Sequence, residues 1–482
     1  MNPGFVKGKV ASAGMKLIDS DLCESDNPAG TFDDPALAGS TGVRSPIDRE
    51  ARVVLTRRKF SEGLLTGGTS FLAPASLSSA GLASSAGSGS APNGAPLSSA
   101  PSLNPDCDLL IKGGTVIDPA QHLHAELDVA VKDGKVLEVS SNFPENRARK
   151  VISAKGKIVT PGLVDVHVHI YEGIGALGVN ADHYCLARGV TTAVDSGSAG
   201  AVTIAGFHKY VVNRSVTRVY SSLDSSSLGA MIFTEDLEWM DPQLAARAAL
   251  DHKPAVVGIT ARVPRKDAGE NDLEILKRGR QAAEASGLPL TVHIGDSYSP
   301  LKDILSIMRK GDVLGHCYHY SAHGLLDGAG KVLPEVREAR ERGILFSVAH
   351  DARRFSFQVA EKCLEQDLPP DAISSCISAA GVDGPVYDLP TTLSKFLLLG
   401  LSLDKVAELA TIRPARIFDF GFKPGSLQPG RAADIAIFEL REGAFEFVDS
   451  TGEKRTGRQR LNSVATVRGG ELYVNESEAL SS

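Results

Sequence analysis

The chain has no run of about eighteen or more apolar residues, so no membrane-spanning helix is expected. Its few cysteines (Cys23, Cys107, Cys185, Cys317, Cys363 and Cys376) are widely scattered and form no C-x-x-C pair. That spacing argues against both a thiolate zinc site and a disulfide framework. There is no basic excess either: 51 Lys and Arg against 58 Asp and Glu leave a net charge of −7, so nothing points to nucleic acid as a partner. Methionine is scarce, with none between Met15 and Met231. What is present, 482 residues with 42% hydrophobic content, suits a soluble globular protein with one large barrel and an accessory domain.

The first hundred residues differ from the rest. From Ser76 to Ser102 the chain is almost entirely Ser, Ala, Gly, Pro and Leu, the composition of a flexible linker. Before it, Thr56-Arg57-Arg58-Lys59-Phe60 precedes a weakly apolar stretch and small residues around Ala75 and Ala86. That order resembles a twin-arginine export signal. Such a signal belongs near an N-terminus, so translation is expected to start near Val53, Val54 or Leu55. The expected divisions are then a non-native or disordered extension (1–52), a signal peptide (53–86) and a linker (87–105). Export through the twin-arginine machinery to the periplasm or beyond follows from this reading; without the signal the chain stays cytoplasmic.

From residue 106 to 157 short apolar runs alternate with turns, and Asp133-Gly134 between two such runs is a hairpin signal. Similar runs recur over 421–475, before a short tail at 476–482. Together the two flanks predict a small β-sandwich. Between them, over 158–420, strand-like and helix-like runs alternate as a (β/α)8 barrel requires. The expected strands are Gly162–His169, Thr191–Asp195, Val216–Ser221, Ala255–Thr260, Leu290–His293, Val313–His316, Leu345–His350 and Ala372–Cys376. Helices are expected at Leu273–Ser286, before Gly287, and at Leu301–Lys310, before Gly311.

The most informative run is Gly162-Leu163-Val164-Asp165-Val166-His167-Val168-His169. Strand side chains alternate, so His167 and His169 point the same way at the end of a buried parallel strand. Three more expected strands end in histidine, at His293, His316 and His350. Imidazoles converging on the mouth of a barrel suit zinc or a similar ion, which activates water near neutral pH.

These runs, with Gly189-Val190-Thr191-Thr192, Gly384-Pro385-Val386-Tyr387-Asp388-Leu389-Pro390 and Gly430-Arg431-Ala432-Ala433-Asp434, resemble the amidohydrolase superfamily. The dihydroorotase-like amidohydrolase and deacetylase group is the nearest part of it. The resemblance spans about residues 107–475 and implies metal ligation by His167, His169, His293 and His316. It also implies two elements this chain lacks. Thr260 stands where a bridging carboxylated lysine belongs, and Cys376 stands where a metal-binding, catalytic aspartate belongs. Ser378 likewise replaces a histidine.

Without the anionic bridge, two adjacent dications repel, so about one zinc per chain is expected, two not being excluded. Cys376 is open to three readings: a thiolate ligand, a nucleophile with His350 as its base, or a small buried hydrophobe. The missing proton acceptor has four candidate substitutes, Asp195, Asp351, Asp383 and His350, since attacking water needs a base nearby. Arg262 and Thr260 are candidate substrate contacts, and Arg353 and Arg354 after His350 favour an anionic small molecule. His319 and His323 are weaker candidates, and Asp388 reads as a helix cap or a loop anchor. The resulting expectation is a metal-dependent hydrolase that cleaves an amide or ester bond through metal-bound water. The alternatives are a catalytically silent small-molecule-binding barrel, or a lyase or cysteine-dependent variant using Cys376.

Overall fold

The computed structural model describes residues 55–56, 105–233 and 235–475. The expected extension, export signal, linker and tail lie outside the described residues, apart from Leu55–Thr56 and Pro105. The two flanks of the barrel merge into one sheet. Its strands are β1 (Leu55–Thr56), β2 (Leu109–Asp118), β3 (Leu123–Lys132), β4 (Lys135–Ser140), β5 (Val151–Ser153) and β6 (Ile158–Pro161). Late in the chain it takes up β14 (Ile435–Val448), β15 (Lys454–Arg468) and β16 (Glu471–Asn475). The order is β1-β16-β15-β14-β6-β2-β3-β4, with β5 beside β2.

The β3–β4 turn is the expected Asp133-Gly134 hairpin, with both residues at positive φ (49° and 73°); that geometry matches the twist of the strands. Ile111, Val116 and Val129 from the first flank share one buried cluster with Ile435, Ile437 and Val467 from the second. β6 was expected inside the barrel but pairs with β14 and β2. The barrel therefore begins at Leu163.

Seven parallel strands follow: β7 (Leu163–Val168), β8 (Val190–Ser196), β9 (Arg218–Asp224), β10 (Val256–Arg262), β11 (Leu290–His293), β12 (Val313–Gly315) and β13 (Leu345–Phe346). Their ends match the expected strands to within a few residues, except at the seventh and eighth. The seventh is regular only over Leu345–Phe346 because Ala349 (φ 39°) and Asp351 (φ 58°) turn the backbone out of the ladder. The eighth, Ala372–Cys376, is not a regular strand, and Cys376 itself has φ 48°. It closes the ring nonetheless: Val348 N–H donates to Ala372 O (3.0 Å), Cys376 N–H to His167 O (2.8 Å) and His169 N–H to Ile377 O (3.0 Å). The result is a (β/α)8 barrel. One expected helix, Asp272–Ser286, ends at left-handed Gly287 as the sequence predicts; the other stops at Ile307, short of Lys310.

Closure is reinforced by a buried carboxyl on β7. Asp165 accepts from Ser375 Oγ (2.5 Å), Ser375 N (3.2 Å) and His167 N (3.2 Å), and burial pushes its pKa up to about 7. Asp165→Ala leaves these donors bare, so a loss of about 2–3 kcal/mol is expected. Urea unfolding against wild type measures it, and a change within about 0.5 kcal/mol would show the seam to be closed by packing alone.

Candidate metal centre

One residue too many on β7 opposes β8 between Asp165 and Val168. Such a bulge bends a strand and re-aims its side chains, here as β7 delivers His167 and His169. β11 delivers His293, and the turn after β12 delivers His316, itself at φ 58°. The four imidazoles are buried, with ring centroids 4.2 Å (His167–His293), 4.9 Å (His167–His316) and 5.9 Å (His167–His169) apart.

Burial sets their charge. It pulls the His167 pKa down to about 3, helped by the Arg262 and Arg354 guanidiniums, and holds His169, His293 and His316 well below the usual value. All four are neutral near pH 7, the state in which imidazole offers a lone pair to a metal.

Their hydrogen bonds differ. His316 Nδ1–H donates to Ala349 O (2.6 Å), which leaves Nε2 as a lone pair. His169 Nδ1 meets Ser198 Oγ at 3.0 Å. His167 Nε2 is buried with no partner at all, which is costly for a polar atom unless something binds there. His293 is committed. Arginine can only donate, so Nδ1 accepts from Arg262 Nη1 (3.2 Å), and Nε2–H then donates to Ser196 Oγ (2.9 Å).

Cys376 joins this cluster. Ligand atoms of His167, His169 and Cys376 lie within 4.8 Å of one another, as do those of His167, His293 and His316, and those of His316, Asp351 and Cys376. The unpartnered His167 Nε2, the neutral imidazoles and the Cys376 sulfur, which ligates a metal as thiolate, fit one divalent ion. In the observed hydrogen bonding, His167, His169 and Cys376 would hold it, with His316 beside them.

The remaining expected residues are placed as follows. His350 has both nitrogens engaged: Lys395 Nζ donates to Nε2 (2.7 Å), and Nδ1–H donates to Asp351 O (2.9 Å). It stacks on Phe355 at 4.5 Å and is not set up as a base for Cys376. Burial, with Asp351 adding to it, raises the Cys376 thiol well above its ordinary range. Asp195, raised to about 6 by burial, accepts from Ile170 N and Ser198 N (2.8 Å each) and acts as a loop anchor.

Thr260 is buried among hydroxyls and donates to Ser222 Oγ (2.8 Å). Arg262 is already matched by Asp224, with Nε to Oδ2 at 3.0 Å, and it also donates to Ser196 O (3.0 Å). Asp383 is exposed. Asp388 caps the helix Leu389–Leu398 through Thr391 N (2.7 Å). His319 is buried, with both ring nitrogens unpartnered.

Sequence reasoning missed Asp165, Asp224, Ser196, Ser198 and Lys395. A signal existed for Lys395 alone, a lysine inside the mostly apolar Leu389–Leu398 helix.

Residues 158–467 match the amidohydrolase family. A deacetylase of Enterococcus faecalis is 32% identical over 77% of this chain and 100% of its own length. A deacetylase of Brucella anthropi is 30% identical over 67% of this chain and 81% of its own. Among solved structures, an adenine deaminase superposes with a TM-score of 0.72 at 31% identity, covering 77% of this chain and 100% of that one. A dihydroorotase superposes with a TM-score of 0.69 at 26% identity, covering 76% and 97%. Sequence match, barrel and imidazole cluster agree: the chain belongs to the amidohydrolase family.

Proposed function

We propose that the protein is a one-zinc hydrolase of an acyl amide or acyl ester, in the manner its deacetylase relatives are named for. The observation that carries this reading is the unpartnered His167 Nε2, buried among His169, His316 and Cys376. An ion bound there would polarise the scissile carbonyl and activate water. The chain's own residues do the rest. The neutral imidazoles keep their lone pairs directed inward, Ser198 and the Ala349 carbonyl fix two ring orientations, and burial keeps bulk water out.

Arg262 is neutralised by Asp224 and Arg354 faces Asp351, so the anionic-substrate reading rests on the exposed Arg353. Export remains part of the proposal, on the strength of Arg57-Arg58 and the small residues that follow. N-terminal peptide mapping of the native protein tests it: a mature N-terminus just after Ala75 or Ala86 supports export, and protein that retains Arg57-Arg58 refutes it.

Purified protein should carry about one zinc per chain and hydrolyse N-acyl amino acids or acyl esters in a chelator-sensitive way. Elemental analysis with an acyl-substrate panel decides. Protein that takes up no metal, turns nothing over and is only stabilised thermally by small ligands would establish the silent binding barrel instead.

A further inference from the structure

We propose that Asp351, at the start of the short helix Asp351–Arg354 after the seventh strand, supplies the proton acceptor that the eighth strand lacks, and that Arg354 positions it. This rests on the hydrolase reading above. A carboxylate oxygen of Asp351 lies within 4.8 Å of ligand atoms of both His316 and Cys376. It thus lies beside Cys376, which stands where the resemblance expects an aspartate.

Four other acidic residues of the barrel are occupied or exposed. Asp165 is held by Ser375, Asp195 by two backbone amides and Asp224 by Arg262, while Asp383 is exposed. Asp351 is only partly buried, with its side chain 25% exposed, so substrate and water can reach it.

Its placement is built rather than incidental. Asp351 sits at φ 58°, a left-handed conformation that aspartate tolerates better than most residues. Its amide donates to Ser375 O (3.2 Å), its carbonyl accepts from His350 Nδ1–H and Ser450 Oγ–H, and Oδ1 accepts from Arg353 N (3.0 Å). Oδ2 faces Arg354 Nε at 3.6 Å. Arg354 is itself seated: Nη1 donates to Ile294 O (3.0 Å), and it crosses the face of Gly295 so closely that a Cβ there would lie 1.6 Å from Nη1. Three further non-glycine residues with positive φ (His316, Ala349 and Cys376) converge on the same corner, as backbone strain does at functional sites.

In the step this assigns, water loses a proton to the Asp351 carboxylate as its oxygen bonds to the acyl carbon. The C–N or C–O bond then breaks, and the proton passes from Asp351 to the leaving nitrogen or oxygen. Electrons and protons balance without any further reactant.

Asp351→Gly tests the assignment, because glycine accepts the positive φ and leaves room for a small acid. Zinc content should stay near the wild-type value, while kcat falls about 100-fold or more. Added formate should then restore at least about tenfold of it in the variant and nothing in wild type. Arg354→Met should lower kcat by about tenfold, with Arg354→Lys recovering part of that loss.

Asp351→Gly with kcat within threefold of wild type overturns the proposal, as does equal loss of zinc and activity without formate rescue, which would make Asp351 a ligand or a structural residue. A wild-type protein that binds zinc yet hydrolyses nothing in the acyl panel overturns the hydrolase reading itself, and this proposal with it.

Discussion

Replacing His167 by leucine is expected to make the metal-free protein more stable while abolishing both metal uptake and turnover. Two consequences of one atom act in opposite directions. His167 Nε2 is buried with no hydrogen-bond partner, and an unsatisfied polar atom of that kind costs about 1–3 kcal/mol. Leucine fills much of the same space without the polar atom, so a gain of about 1–2 kcal/mol is expected for the apo protein. Zinc stabilises the wild type by an amount that grows with its concentration, about 2.7 kcal/mol at a hundredfold excess over Kd. That increment should vanish in the variant.

Urea unfolding of both proteins with chelator and with zinc separates the terms. The sign of the difference between them should reverse on adding zinc. A variant that is less stable with chelator present would mean the imidazole is held by packing rather than kept for a ligand. A variant that still responds to zinc would move the site away from His167. The stability sacrificed in the apo protein is the physical trace of a binding role, and it needs no substrate to be measured.

What the sequence disclosed follows how local each signal was. The His167-x-His169 pair, the Asp133-Gly134 hairpin and the Gly287 helix stop are each set within a few residues, and each is found where expected. The eighth strand failed because its ladder is broken by backbone at positive φ, and Cys376 gives no local signal of that conformation. β6 was misassigned because Ile158–Pro161 has the apolar pattern of a barrel strand, while its partners on β14 lie far away in the chain.

Site roles were least legible where a charge is cancelled by a distant group. Arg262, by sequence either a substrate contact or a salt-bridge partner, is matched by Asp224, 38 residues earlier. His350 looked available to Cys376 until Lys395, 45 residues on, was found on its Nε2. Conversely, Asp351 stood among four carboxylate and imidazole candidates in the sequence, and only the geometry separates it from Asp195 and Asp383.

Lys395→Met is expected to destabilise the protein by roughly 3 kcal/mol, and the deficit should widen as pH rises. The Lys395 ammonium is fully buried on the helix Leu389–Leu398 and donates to His350 Nε2, Pro385 O and Val448 O, each at 2.7 Å. One side chain thus ties the loop after the seventh strand to the Pro385 turn and to β14. Methionine matches the volume but donates to none of the three acceptors, of which the neutral amine present above about pH 7 can still serve two.

Burial pulls the Lys395 pKa down to about 7, against the opposing pull of Asp449 and Asp388, whereas an unfolded lysine titrates near about 10.4. Between those values the unfolded chain binds more protons than the folded one, so this residue's contribution to stability rises with pH. The same contribution is lost as pH falls through about 7.

Urea unfolding at pH 6 and pH 9 should therefore show a larger gap between wild type and Lys395→Met on the alkaline side. A gap independent of pH would mean Lys395 stays charged throughout and acts as a fixed strut. The variant should also lose turnover beyond its loss of stability, because releasing His350 Nε2 frees the segment that carries Asp351. A fully folded Lys395→Met protein with wild-type kcat would break that link between the buried ammonium and the cavity.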